Sequence, residues 1–329
     1  MIKYLQYNNE YNHEIYELFT EVIREDGFIK ELTEEEFVGH LFKNHNFKQE
    51  GTFLAFDGEK LVGFASGNVK DSDLGNEKAA GYINTFFVKK EYRRQGIGKT
   101  LLTKIEEYIK GKGMKFARFV FLSGINWAWN IPHYPGHLHP GMPAVSINSE
   151  FYLFLLHNHY YLNSIHEGYH LPLAEYELPQ KVIDMMKVNN EKGFTVELYD
   201  PNKHYGIDEF CAEIDNPGFA HSIKYNLEKR EKPLPFLVAA KDGKVVGWTG
   251  AMYTESTGRG HLDGICVHPS TRGTGLGKAL FCYLCDYLKK DGSSYMTFFT
   301  GIDNPARKIY LYAGFKIAQS FADMKKNLE

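Results

Sequence analysis

The pattern Arg-x-x-Gly-x-Gly-Lys stands twice in this chain, at Arg93–Lys99 and at Arg272–Lys278, and the flanking sequence repeats with it. Setting Gly96 on Gly275 gives an offset of 179 residues that holds well beyond the loop. Upstream, GYINTFFV (81–88) falls on GHLDGICV (260–267), both strand-like. Downstream, Leu101, Leu102, Ile105, Tyr108 and Ile109 fall on Leu280, Phe281, Leu284, Tyr287 and Leu288, the apolar face of an amphipathic helix in each copy. Gly113 and Gly292 then end those helices before the strand-like KFARFVFL (115–122) and SYMTFFTG (294–301). Further upstream, FLAFDGEKLVGFASG (53–67) and FLVAAKDGKVVGWTG (236–250) both read as hairpins turning at an Asp-Gly. A period this long indicates duplicated domains, not a solenoid.

The first loop imitates an ATP-binding P-loop at Gly98-Lys99-Thr100, yet the leading P-loop glycine would fall on Arg93. The second copy fails twice, with Arg272 and Ala279 at the required Gly and Ser/Thr positions. A Rossmann reading of GTGLG fails for lack of the third glycine, and because the upstream hairpin is antiparallel where a βαβ unit is required. What remains is a strand feeding a glycine loop that opens a helix. Backbone N–H groups there face outward at the positive end of the helix dipole, which makes an anion site.

The 329 residues suffice for two domains, expected at 1–172 and 194–329 with a linker and short helix at 173–193. A net charge of −3 without long basic runs argues against a nucleic-acid partner. The longest apolar run, near 151–156, is far short of a membrane span, and the N-terminus lacks a signal layout, so a cytoplasmic location is expected. Of the four cysteines, Cys282 and Cys285 sit within a helical pattern and read as packing residues.

The order of elements, with Val-x4-Arg-x-x-Gly-x-Gly at Val88–Gly98 and Val267–Gly277, resembles the GNAT superfamily of acyl-CoA-dependent N-acetyltransferases. NPARKIYLYAGF (304–315) is similar to that family's closing Asn-x5-Tyr-x3-Gly-Phe. The resemblance implies an α/β (α+β) fold of two tandem domains, each with a mixed, mostly antiparallel sheet flanked by helices. It implies acetyl-CoA as cofactor, its pyrophosphate on the loop and its pantetheine arm between two splayed strands. Onto this chain it places cofactor contacts at Cys266, Val267, Arg272, Gly273, Thr274, Gly275, Leu276, Gly277 and Lys278, with Asn304 on the arm. The corresponding set in the first copy is Phe87, Val88, Arg93, Arg94, Gln95, Gly96, Ile97, Gly98 and Lys99.

Acetyl transfer to an amine needs a proton acceptor, a polarised carbonyl and a group that stabilises the leaving thiolate. The resemblance gives Tyr310 the last role, and His261 and Asp263 are base candidates expected to face one side of their strand together with Ile265. The first copy has Tyr82 and Asn84 at those strand positions, and Leu155 and His159 where the closing motif needs Tyr and Gly. A first domain with altered or lost chemistry is therefore expected. Its insertion at 123–150 holds His133, His137 and His139 but no neighbouring carboxylate, and reads as a rigid loop, not a metal site. Trp127, Trp129 and Tyr134 are expected as a wall over a substrate or across the domain interface. The function expected is an acetyl-CoA-dependent N-acetyltransferase acting on a small amine, the alternative being a non-catalytic acyl-CoA sensor.

Overall fold

The chain is described by a computed structural model covering residues 1–76, 78–214 and 216–328, and it divides into two units. The first comprises residues 1–167 with 319–329, the second 168–318. No helix among the described residues is long and apolar enough to cross a membrane.

The first unit runs β1 (Ile2–Gln6), α1 (Asn12–Ile23), α2 (Glu34–His40), β2 (Thr52–Asp57), β3 (Lys60–Asn68), β4 (Gly81–Val88), α3 (Ile97–Gly111) and β5 (Phe116–Phe119). Three two-residue strands follow in the insertion, β6 (Trp129–Asn130), β7 (Leu138–His139) and β8 (Val145–Ser146), then α4 (Glu150–His157) and β9 (Tyr161–Pro172), which ends in the second unit. Antiparallel pairing links β1 to β2, β2 to β3 and β3 to β4, whereas β4 and β5 are parallel and meet only at Gly81↔Ala117 and Tyr82↔Arg118. Alternation along β2 sends Leu54 and Phe56 to the face under α1 and α2, and Ala55 to the face under α3. Helix α3 answers with Ile97, Leu101, Leu102, Ile105 and Ile109, its predicted apolar stripe.

The second unit adds α5 (Gln180–Glu191), β10 (Phe194–Leu198), α6 (Ile207–Glu213), α7 (Pro217–Lys224), β11 (Leu237–Lys241), β12 (Lys244–Thr249), β13 (Arg259–Gly260) and β14 (Ile265–Val267). It continues with α8 (Leu276–Lys290), β15 (Tyr295–Gly301), α9 (Arg307–Tyr312) and the start of β16 (Lys316–Asn327). Strands β10, β11, β12 and β14 form one antiparallel sheet; β9, β15 and β13 are neighbours in another. The hairpin between β11 and β12 turns at Asp242 and Gly243, both left-handed at φ 49° and 83°, as its Asp-Gly requires.

The units do not divide where the sequence suggests. The segment 173–193 carries its expected short helix as α5, and it also joins the second unit: Leu173, Tyr176, Val182 and Met186 lie in that unit's core, and the Tyr176 hydroxyl donates to Cys282 O at 3.0 Å. The boundary falls inside β9, because residues 168–172 serve the second unit's sheet. Conversely, the partner of β5 in the first unit is β16, through Met324↔Phe119, Lys325↔Arg118, Lys326↔Ala117 and Asn327↔Phe116. Immediately before that pairing, Asp323, 1% exposed, accepts from Arg118 Nη2 at 2.6 Å, Arg118 Nε at 3.2 Å and Asn163 Nδ2 at 2.6 Å. Removing one partner of a buried ion pair strands the other, so Asp323→Ala is expected to lower stability by about 3–5 kcal/mol. Denaturant unfolding followed through Trp127 and Trp129 of the first unit checks it; a midpoint close to wild type refutes the assignment.

The insertion is also packed more deeply than its sequence suggests. Trp127 is buried against Phe19 and Phe37, and Trp129 lies fully inside, stacked on Phe28 and His139. Both rings lie in the interior of the first unit, not in a wall over a substrate. They close the core beneath α1 and α2, or beside it.

Candidate active site

The two glycine loops share one backbone conformation. Residues 94 and 96 are left-handed at φ 62° and 85°, and residues 273 and 275 at φ 84° and 79°. Glycine suits three of these positions; Arg94 holds the fourth against the steric cost of its Cβ. Gly96 and Gly275 are the N-caps of α3 and α8, and neither helix has a side-chain cap. In the second unit the amides of Gly273, Gly275, Gly277 and Lys278 donate to no carbonyl or side chain among the described residues. Two loop amides are taken: Thr274 N–H donates to Thr271 O at 3.2 Å and Leu276 N–H to Thr274 Oγ1 at 3.3 Å. Four outward N–H groups at a helix start form a built anion cradle.

Side chains around the loops separate the units. Arg272 is exposed and has no partner among the described residues, whereas Arg93 is bound by Glu25 at 2.8 Å, by Glu150 at 3.3 Å and to Val88 O at 3.0 Å. Ile97 and Leu276 turn into the cores, leaving only their main chain for a ligand. Phe87 does the same, packing on Phe19 and Phe64 beneath α1, so its side chain is not at the cofactor position expected of it. Gln95 Nε2 is spent on Glu91 O, while Lys99 is exposed and Lys278 lies over the Tyr312 ring at 4.0 Å. Thr274 O is held by Asn189 Nδ2 of α5 at 3.0 Å, a brace on the loop that the sequence does not signal.

The strand-like stretch 260–267 is broken. Arg259 and Gly260 pair with Tyr295 and Met296 of β15, the chain leaves the ladder at 261–264, and Ile265–Val267 pairs only with β12. Gly264 carries φ 150°, and a Cβ there would stand 2.4 Å from the Phe219 ring. Gly250 is as constrained, since a Cβ would stand 2.4 Å from Asp263 Cβ and 2.6 Å from Asp263 N. These two glycines produce the break. Past it, β14 has no ladder partner among the described residues on the side away from β12, an edge on which an extended chain with amide groups can pair.

His261 and Asp263 fall within the break, so the expected strand alternation with Ile265 does not apply. They nevertheless meet: His261 Nε2 and Asp263 Oδ1 are 2.6 Å apart. Glu255, from the turn before β13, lies 3.0 Å from His261 Nδ1 and is bonded by Arg259 Nε at 2.8 Å and by Arg259 Nη2. The Tyr253 ring stacks on the imidazole at 4.3 Å. Burial pulls the His261 pKa down, but the bonds to Asp263 and Glu255 outweigh it and leave it raised. Burial pushes Asp263 upward, yet His261 holds its carboxyl below the ordinary value. The arrangement is a carboxylate–imidazole–carboxylate row. Neither Glu255 nor Tyr253 was visible as a site residue in sequence, since both come from a turn whose partners lie elsewhere in the chain.

Tyr310 is 6% exposed, among the rings of Tyr169, Phe281 and Phe298. Burial pushes its phenol up to about 12. Asn304 serves its own turn: Nδ2 donates to Thr300 Oγ1 at 2.7 Å and Oδ1 accepts Ala306 N–H at 2.9 Å.

In the first unit Asn84 takes the place of Asp263, and both its amide atoms are buried without partners. Tyr82 is buried, with its pKa raised by that burial. His159, at φ 67°, keeps the left-handed turn that Gly314 makes at φ 96°. Phe86, Phe151 and Phe154 form a contiguous ring cluster with centroids 5.2–5.8 Å apart, and the place of a Cβ on Gly98 is 3.3 Å from Phe154. The matching place on Gly277 meets Ile309 at 3.5 Å and Val267 at 3.6 Å.

The model of the Acetyltransferase (GNAT) family matches residues 12–124 and 196–315, a stretch in each unit. Among solved structures, the chain is similar to a GCN5-related glucosamine N-acetyltransferase region of a fungal multi-domain GH3 β-N-acetylglucosaminidase, with TM-score 0.68 and 16% identity. That match covers 99% of this chain but 38% of the fungal one. A GCN5-related N-acetyltransferase from Sphaerobacter thermophilus matches at TM-score 0.62 and 14% identity, covering 100% of this chain and 96% of its own. A tandem GNAT protein from the clavulanic acid biosynthesis pathway matches at 0.57 and 14%, covering 100% and 99%. At these identities the likeness concerns the fold. No curated protein matches the chain by sequence.

Proposed function

This chain is a tandem member of the GNAT acetyltransferase family, and we propose that its second unit transfers an acetyl group from acetyl-CoA to a primary amine of a small acceptor, by direct attack of the amine. The observation that carries the reading is one juxtaposition: an unpaired edge of β14 leads straight into a loop with four free amides and an unpaired Arg272. That combination suits a diphosphate followed by an amide-containing arm. Bound acetyl-CoA would supply the thioester carbonyl and the thiolate leaving group.

The chain's own groups then divide the work. Gly273, Gly275, Gly277 and Lys278 would hold the diphosphate through their amides, with Arg272 adding charge. The free edge of β14 would orient the arm and offer an N–H to the developing oxyanion. The His261–Asp263 pair takes the proton that the acceptor ammonium must lose. Tyr310 remains protonated across the physiological range. Its pKa of about 12 stands well above that of an ordinary thiol near 8.5, so it donates a hydrogen bond to the thiolate without surrendering its proton.

Tyr310→Phe is therefore expected to lower kcat by about 10- to 100-fold with little change in KM for acetyl-CoA. The check is free-thiol release from acetyl-CoA across an amine panel. An unchanged kcat removes Tyr310 from the mechanism, and no thiol release with any amine favours the non-catalytic sensor. For the first unit we propose a non-catalytic role: its loop is retained, but Asn84 and Leu155 replace the proton-handling groups.

A further inference from the structure

The turn at 254–260 places a charged side chain against the reactive pair that the proposed chemistry does not yet use. Glu255 N–H donates to Arg259 O at 2.8 Å, Gly258 N–H donates to Glu255 O at 2.8 Å, and Thr254 bridges Gly260, so the turn is closed by its own main chain. Its carboxylate is clamped by the Arg259 guanidinium, whose Nη1 is in turn anchored to Thr297 O at 2.9 Å. Arg259 is 7% exposed, so this clamp is built into the interior and not laid on the surface. Glu255 Oε1, which also accepts from Arg259 Nη2, meets His261 Nδ1, while Nε2 of the same ring meets Asp263.

Building on the acetyl-transfer reading, we infer that Glu255 is a positioning residue: by engaging Nδ1 it fixes the ring and tautomer of His261, so that Nε2 faces Asp263 and the pair accepts the acceptor's proton as a unit. An imidazole held on one nitrogen by a carboxylate presents the other in a defined orientation and as a stronger base. The groups facing His261 are the carboxylates of Glu255 and Asp263 and the stacked Tyr253 ring, with the Arg259 charge acting against its protonation. Arg230 acts on Asp263 and Tyr253 by its charge. The two carboxylates prevail: the His261 pKa is raised despite burial.

The sign of the effect follows. Activity that needs the deprotonated pair rises with pH through its apparent pKa, and removing the Glu255 charge lowers that pKa. Glu255→Gln, which keeps the shape and a bond to Arg259, should therefore move the acidic limb of kcat/KM to lower pH by about one unit. KM for acetyl-CoA should stay put, since the loop at 272–278 is untouched. Imidazole NMR of His261 in the intact chain should show the same downward shift. A merely structural role would lower kcat at every pH with the limb unmoved, and that result, or an unmoved His261 titration, overturns the inference while leaving the acetyl-transfer reading intact. Absence of turnover by the wild-type chain with every amine defeats that parent reading, and the inference with it.

Discussion

A chain cut after Ala318 loses its folded first unit, although the deleted residues lie about 150 positions beyond that unit's own half of the sequence. Residues 319–327 are the strand that pairs with β5, and Phe321, Ala322 and Met324 are each fully buried. Burial of Phe321 and Met324 contributes about 1.5–3 kcal/mol each. Loss of Asp323 from Arg118 adds about 3–5 kcal/mol, and Glu106 loses Lys326, its partner at 2.8 Å. Together these reach the 5–15 kcal/mol that typically separates a folded domain from its unfolded state. Amide hydrogen exchange is the measurement: protection across α3 and β5 should vanish in the shortened chain. Persistent protection there would show that β16 is dispensable.

On the proposed reading one molecule of acyl-CoA is expected to bind per chain, and Gly275→Val is expected to raise its Kd by about 100-fold or more. A β-branched side chain at φ 79° is strained, which drives the loop away from the geometry that presents its amides, and its Cβ would also displace the Met185 side chain, whose Sδ would stand 2.2 Å away. A hundredfold loss corresponds to about 2.7 kcal/mol, within the reach of several charge-assisted hydrogen bonds. The first unit contributes no second site on this reading. Its Arg93 is neutralised by Glu25 and Glu150, and Phe86, Phe151 and Phe154 cluster beside Gly98, where Gly277 of the second unit has Ile309 and Val267. Titration calorimetry reads both numbers. A stoichiometry of two, or unaltered affinity in Gly275→Val, would overturn the assignment of the binding site to the second loop.

Much of this architecture is local, and local structure is legible in sequence. The α3 and α8 stripes, the Asp-Gly turn at 242–243 and the paired left-handed glycines at 96 and 275 each follow from spacing within a few residues. His261, Asp263 and Tyr310 were picked out by the resemblance to the family's motif positions, and the first copy lacks them at the matched places. Glu255 was not, since nothing in the turn 254–258 announces that its carboxylate ends on a ring six residues later. Trp127 and Trp129 were misjudged for a related reason: a Pro- and Gly-rich insertion reads as a surface loop, but two indoles have more apolar area than a surface loop leaves exposed, and they pack inward.

The amino-acid sequence by itself determined the duplication, the element order within each copy and the glycine turns that open α3 and α8, all of which depend on residues close together along the chain. Only the tertiary structure decided that the strand beside β5 comes from residues 319–327, that 261–264 leaves the ladder, and that one imidazole stands between two carboxylates. Pairing partners and side-chain neighbours are chosen by competition among distant segments for the same buried edge, and no periodicity along the chain records which segment wins.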